Sequence, residues 1–271
     1  MPEATVRLGG LYRYPLKSGR GEPLASARLG DAGLEGDRRW MLTRPDGRFL
    51  TQREHPRLAL LNARHYGDSL QLDAPGLEPL LARPGEAREV QVWKDRVLAR
   101  DAGDEAAGRL GDWLGAACRL VQFDPARPRY SEAEWTGGLL AANAFSDGYP
   151  LLLVNQASLD DLSARCGRVL PVERFRPNLL VEGLPAWAED TLQELAIGQI
   201  VLRLVKPCTR CSITTVDPLT GRFDGEEPLR TLRSFRQDGR VGGFTFGINT
   251  VVVRGVGESL AVGDALEARW R

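Results

Sequence analysis

Short apolar runs broken by turn residues every eight to twelve positions constrain this chain most. Val6 to Tyr14 is apolar and aromatic; Arg39-Trp-Met-Leu-Thr43 enters the turn Pro45-Asp46-Gly47, and Phe49 to Gln52 returns, which is a hairpin pattern. Leu58 to Tyr66, Leu70 to Leu72, Val90 to Trp93 and Val97 to Ala99 continue the series, with turns at Gly67-Asp68 and Lys94-Asp95. That spacing predicts an antiparallel sheet or barrel in the first hundred residues.

A 3.6-residue period then appears. Ala107, Leu110, Trp113 and Leu114 predict a helix from Asp104 to Ala117, followed by a strand from Cys118 to Phe123. The proline-, glycine- and charge-rich stretch 124–138 marks a boundary, giving expected domains over residues 1–123 and 124–271. Beyond it, Leu151 to Val154 and Pro177 to Val181 read as strands, with a helix over Ala157 to Cys166 between them. Leu192 to Ile197 and Ile200 to Val205 form a hairpin around Gly198-Gln199, and Pro228 to Gln237 is a short helix. Strands over Thr245 to Val253, Ser259 to Val262 and Ala265 to Trp270 complete a β-rich α+β chain.

At 271 residues the chain can bury one large core or two modest ones. Equal numbers of acids and bases, 36 each, argue against a general nucleic-acid binder. No window approaches the roughly 18 apolar residues of a membrane span, and Met1-Pro-Glu-Ala-Thr-Val-Arg7 lacks the basic-then-apolar pattern of a signal peptide. The expectation is a cytoplasmic protein with no membrane or nucleic-acid partner.

The segment Lys206-Pro-Cys-Thr-Arg-Cys211 carries the chemistry. The hairpin's second strand delivers it to a sheet end, and the other cysteines, Cys118 and Cys166, are isolated, so no secreted-type disulfide framework exists. Lys206 and Arg210 flank the pair, favouring a thiolate and soft-metal ligation. A structural zinc needs four Cys or His ligands, for which only Cys118, Cys166, His55 and His65 remain. A dithiol oxidoreductase would set its pair at a helix start, whereas Ser212 to Val216 reads as strand or loop. The turn Asp217-Pro-Leu-Thr-Gly221 either folds back over a ligand or simply reverses a hairpin.

Lys206-Pro-Cys-Thr-Arg-Cys211 with Thr214-Thr-Val-Asp-Pro-Leu-Thr-Gly221 resembles the signature of MOSC domains, in particular the amidoxime-reducing components and their bacterial relatives. Tyr14-Pro-Leu-Lys-Ser18, Gly36-Asp-Arg-Arg-Trp40, Phe145-Ser-Asp147 with Pro150, and Phe175-Arg-Pro-Asn178 resemble that family's other blocks in order. So do Glu227-Pro-Leu229 with Leu232 through Gln237, Phe246-Gly247 and Val262-Gly-Asp264, which extends the resemblance over about residues 7 to 266.

The resemblance implies a β-barrel-like N-terminal region plus a MOSC-type β-barrel domain with a few peripheral helices, and a molybdenum cofactor (Mo-molybdopterin) between them. It implies Cys211 as the metal ligand, Lys17, Ser18, Arg38, Arg176 and Arg210 as cofactor-binding residues, and Asp147 as an acid near the reacting centre that orients water or relays protons. Cys208 would then be a loop-packing residue. The implied activity is reduction of N-hydroxylated small molecules such as amidoximes and hydroxylamines, an N-reductive detoxification independent of pyridoxal phosphate. The chain shows no cysteine-rich ferredoxin segment, so a separate ferredoxin-like or cytochrome b5-like protein with its reductase is the expected electron source. Arg230, Arg233 and Arg236 are a candidate face for an acidic carrier. A non-catalytic cofactor carrier and a persulfide (sulfur-transfer) module are the alternatives.

Overall fold

Leu151–Asn155, one of the apolar runs, is buried at every position, and it runs through the middle of a nine-stranded sheet. The computed structural model describes residues 5–271. Across the sheet lie Glu22–Pro23, Arg7–Arg13, Leu179–Glu182, Leu151–Asn155, Gly243–Arg254, Ile200–Thr209, Leu192–Ile197 and Glu267–Trp270, with Gln237–Asp238 beside Gly243–Arg254. Four α-helices, α1 (Asp104–Leu114), α2 (Ala133–Thr136), α3 (Gln156–Cys166) and α4 (Leu229–Phe235), accompany the strands among the described residues.

Only Leu151–Asn155 and Leu179–Glu182 pair in parallel in this sheet, and α3 is the crossover that such a pair requires. The sheet then closes on itself. Leu8 N donates to Asp264 O at 2.9 Å and Gly263 N to Leu8 O at 2.8 Å, so the first strand meets the approach to the last. Leu8, Leu11, Leu153, Leu179, Leu202, Leu204 and Ile248 fill the interior. Gly247 permits this packing: its φ is 75°, and a Cβ there would stand 2.7 Å from Leu153 O. Arg7–Arg13 and Glu22–Pro23 thus lie in a sheet whose other strands come from residues beyond 150, although both precede the boundary placed at 123/124.

A second sheet orders Trp40–Thr43, Arg119–Phe123, Asp95–Asp101 and Ala87–Val92, and the meander Asn62–Tyr66, Ser69–Ala74, Leu77–Ala82 stands beside it. Leu16, Trp40, Leu42, Leu58, Leu70, Leu80, Leu110 and Trp113 form their common core. Helix α1 ends at Leu114, short of the expected Ala117, because Gly115 takes a left-handed φ of 71° and caps it. Ala106, not Ala107, is its buried alanine. Helix α3 begins where the period placed it, and Asn155 Oδ1 accepts from Ala157 N at 3.2 Å as its cap. Among the described residues no helix is long and apolar enough to cross a membrane.

Candidate functional site

Loops from the two sheets meet around one cleft lined by Lys17, Ser18, Arg38, Asp147, Arg176, Arg210 and Cys211. All the site residues expected from the sequence therefore share one wall system. The cleft is partly open to solvent.

Lys17 and Ser18 follow the first strand. Lys17 is 6% exposed, and its Nζ donates to Phe145 O at 2.8 Å and Asp147 Oδ1 at 2.5 Å. Burial pushes the Lys17 amine below its ordinary value, opposed by the Asp147 carboxylate. The Asp147 side chain is 71% exposed at the cleft mouth. Loss of nearby water works against its ionisation, but the Lys17 charge and hydrogen bonds from Lys17 and Trp93 prevail and hold it below the usual carboxylate range. Asp147→Asn removes the charge that opposes burial, so the Lys17 amine falls further and is more often neutral. Competitive acetic anhydride labelling at pH 9 is expected to modify Lys17 faster, relative to the exposed Lys94, than in the wild type. An unchanged ratio would show that the pair is not coupled.

Arg38 and Arg176 approach from opposite halves of the chain. Arg38 Nη1 donates to Asn178 Oδ1 at 3.0 Å and to the buried Asp37 carboxylate, and Nη2 donates to Arg176 O at 2.9 Å. Arg176 Nη1 donates to Gly19 O, while its buried Nη2 has no partner among the described residues. Burial first, and then the charge of Arg38, push the Arg176 guanidinium down to about 10. Ser146 Oγ and Arg210 Nε, also on cleft-lining residues, are likewise buried without partners. Buried donors of this kind suit a polar, anionic ligand.

The backbone is strained here as well. Ser18, Arg38, Trp93 and Arg176 have φ of 65°, 47°, 54° and 58°, and Trp187 is the one other non-glycine residue with positive φ among the described residues. Each such conformation costs about 1–3 kcal/mol, and such residues concentrate at functional sites. Three of these four line the cleft, and the fourth, Trp93, donates from Nε1 to Asp147 Oδ1 at 3.2 Å.

Cys208 and Cys211 sit at the end of Ile200–Thr209 and in the bend after it. Three expectations about their surroundings change. Lys206 does not flank the thiols: as a strand residue it turns away and pairs with Glu132 at 2.7 Å, over the Trp135 ring. Arg210 lines the cleft, but its Nη1 donates to Cys208 Sγ at 2.9 Å and its Nη2 to Phe175 O at 2.7 Å. The cation facing Cys211 is Arg53, whose Nη1 lies 3.7 Å from Sγ and whose guanidinium is 4.8 Å from the Trp93 ring centroid. In a chain this rich in arginine, Arg53 carries no distinguishing local signal. Asn178, which orders Arg38, was legible only as part of Phe175-Arg-Pro-Asn178.

The turn after Cys211 is a plain reversal, not a flap. Val216–Asp217 pairs with Arg222–Phe223, Asp217 Oδ1 accepts from Leu219 N at 2.7 Å, and Gly221 packs on Arg57 and Leu60. The proposed arginine face on α4 is mostly engaged: Arg230 pairs with Glu227 at 2.6 Å and Arg236 with Asp190 at 2.6 Å. Among the described residues no group of three or more His, Cys, Asp or Glu could hold a metal, so the geometry does not assemble the zinc site weighed above. A metal at Cys211 would have to bring most of its ligands with it.

The domain family described as "MOSC N-terminal beta barrel domain" matches residues 5–117, and "MOSC domain" matches residues 141–267. The chain is 37% identical over 240 residues to mitochondrial amidoxime reducing component 2 of Rattus norvegicus, spanning 83% of this chain and 71% of that protein. It is 36% identical over 241 residues to mitochondrial amidoxime-reducing component 1 of Homo sapiens, spanning 84% and 71%. The crystal structure of the YUAD protein from Bacillus subtilis aligns over 98% of this chain and 97% of that one, at a TM-score of 0.47 and 12% identity, too slight a likeness to bear on function.

Proposed function

The chain belongs to the MOSC-domain family, and from this premise we propose that it is a molybdenum-cofactor oxidoreductase that reduces N-hydroxylated compounds, amidoximes and hydroxylamines among them. Its relatives named amidoxime-reducing components support the reaction class. The single observation that carries the reading is the convergence of Lys17, Arg38, Arg53, Arg176 and Arg210 with the thiol of Cys211 on the same cleft, which Cys208 also lines.

The residues fit such a group. Lys17, Arg38, Arg176 and Arg210 offer charge and, at Arg176 Nη2 and Arg210 Nε, unused donors to a phosphate and to the pterin's polar edges. Ser18 stands beside them. Cys211 offers one thiolate to a metal that carries sulfur ligands of its own. When bound, the cofactor supplies two electrons and a centre with affinity for oxygen. The overall conversion takes R–N–OH, two electrons and two protons to R–N–H and water, and a separate electron-transfer protein delivers the electrons.

Within that reaction Asp147 orients. A carboxylate paired with the Lys17 ammonium at the cleft mouth can accept hydrogen bonds from water or from a substrate N–H. Its place is set by Lys17 at 2.5 Å and Trp93 Nε1 at 3.2 Å.

The test is purification of the whole chain from a host that makes molybdopterin, followed by molybdenum analysis and a benzamidoxime reduction assay with reduced viologen. Near-stoichiometric molybdenum with turnover is expected. A metal-free protein would sink the reading, bound cofactor without turnover would make this a carrier, and cyanide-releasable sulfur on Cys211 without molybdenum would make it a sulfur-transfer module.

A further inference from the structure

Two guanidiniums in the cleft share one aromatic ring. The Cζ atoms of Arg38 and Arg176 each lie 4.3 Å from the Tyr14 ring centroid. Like charges so close repel, and the low accessibility of this region gives water little chance to screen them. A ring face is the compensating partner, because its quadrupole attracts cations without contributing a net charge.

The ring is held by everything around it. Tyr14 is fully buried. Its backbone N donates to Asp37 Oδ1 at 2.7 Å, and the other oxygen of that carboxylate accepts from Arg38 Nη1. Arg38 N donates to Tyr14 O at 2.7 Å. Gly21 closes the ring edge, for a Cβ there would meet Tyr14 Cε1 at 2.4 Å. The Tyr14 hydroxyl has no hydrogen-bond partner among the described residues, so nothing visible here depends on its oxygen.

We propose that Tyr14 is a positioning residue whose ring, through cation–π contact with both, holds the Arg38 and Arg176 guanidiniums in place to receive a phosphate-type anion. The inference rests on the reading of the cleft as a cofactor site, since it concerns the anionic end of that ligand. It adds that the receptor depends on the electron density of a ring that does not itself line the cleft.

Inorganic pyrophosphate, titrated calorimetrically into the whole chain made without cofactor, is the probe. Tyr14→Phe keeps the ring and is expected to bind within about twofold of the wild type. Phenylalanine bearing two or three ring fluorines at position 14 keeps the shape but withdraws electron density. Affinity is expected to fall in step with fluorination, by about five- to tenfold at the most electron-poor ring. A filler of space would not respond this way. Equal affinity for phenylalanine and its fluorinated forms overturns the proposal, as does a wild type that does not bind pyrophosphate. A lowered melting temperature with unchanged affinity marks a packing role and overturns it too. Molybdenum content separates the two readings: graded pyrophosphate binding in a protein that never takes up molybdenum keeps the Tyr14 inference and removes the cofactor assignment, and the converse pattern does the reverse.

Discussion

Cys211→Ala is expected to abolish molybdenum binding and amidoxime reduction while leaving the protein folded. The thiol is not part of the core: Cys211 is only partly buried, and its structural duty is carried by the backbone, its carbonyl accepting from Thr214 N at 3.1 Å and Thr214 Oγ1 at 2.9 Å. Substitutions at such positions change stability by about 0.5 kcal/mol or less, so the melting temperature should barely move. Loss of an outer partner of a metal ligand costs about 10–100-fold in affinity or activity, and loss of the ligand itself should exceed that. Cys208→Ala is the control. Its sulfur accepts from Arg210 Nη1 at 2.9 Å, so its loss frees Arg210 without removing a ligand, and metal should remain. Elemental analysis of both variants decides the matter. Retention of metal by Cys211→Ala, or its loss from Cys208→Ala alone, would reverse the assignment of the two thiols.

Arg38→Ala is expected to cause the largest loss of stability at the site. The Arg38 and Asp37 side chains are 12% and 2% exposed, and removing the guanidinium leaves a buried carboxylate without its cation and Arg176 O without its donor, while Asn178 Oδ1 keeps only Leu152 N at 3.2 Å. Breaking a buried pair by deleting one partner costs about 3–5 kcal/mol. On the scale of about 2–4 °C per kcal/mol for domains of some 150–250 residues, the melting temperature should fall by roughly 6–20 °C. Arg38→Ala combined with Asp37→Asn should recover part of the loss, because the stranded charge is then gone. Arg38→Lys should fall between, since one ammonium cannot reproduce the planar fork that serves Asp37, Asn178 and Arg176 together. Calorimetric melting of the four proteins checks this. A shift under about 2 °C for Arg38→Ala would mean that water reaches Asp37 and screens it.

Much of the fold was legible because its signals are local. Leu151 to Val154 predicted a strand from an unbroken apolar run, and α3 followed from Leu159 and Leu162 on one face with glycine beyond. Errors of extent came from competing local chemistry: Gly115 stopped α1 three residues early, a cap that its helical pattern did not reveal. The Asp217 to Gly221 turn was ambiguous for a different reason. Whether a turn covers a ligand depends on what it packs against, and here Arg57 and Leu60 hold it away.

The candidate site divides in the same way. The order of motif blocks brought Lys17, Ser18, Arg38, Asp147, Arg176, Arg210 and Cys211 onto one list before any geometry was known, and the cleft gathers them all. The cation that faces Cys211 was not on that list. Lys206 stands nearer in the chain but pairs with Glu132 outside the cleft lining, while Arg53 reaches the sulfur across 158 positions of sequence.

The sequence by itself determined where most of the longer strands and helices lie, that the cysteine pair sits apart from the other thiols, and which family supplies the expectation, because periodicity, turn residues and motifs act over a few residues. Only the tertiary structure decided which charges meet. The loops bearing Lys17, Arg38, Arg53 and Arg176 meet at the bend after Ile200–Thr209 that carries Cys211. There burial strengthens each Coulomb interaction, and the ring of Tyr14 lies against two of the cations.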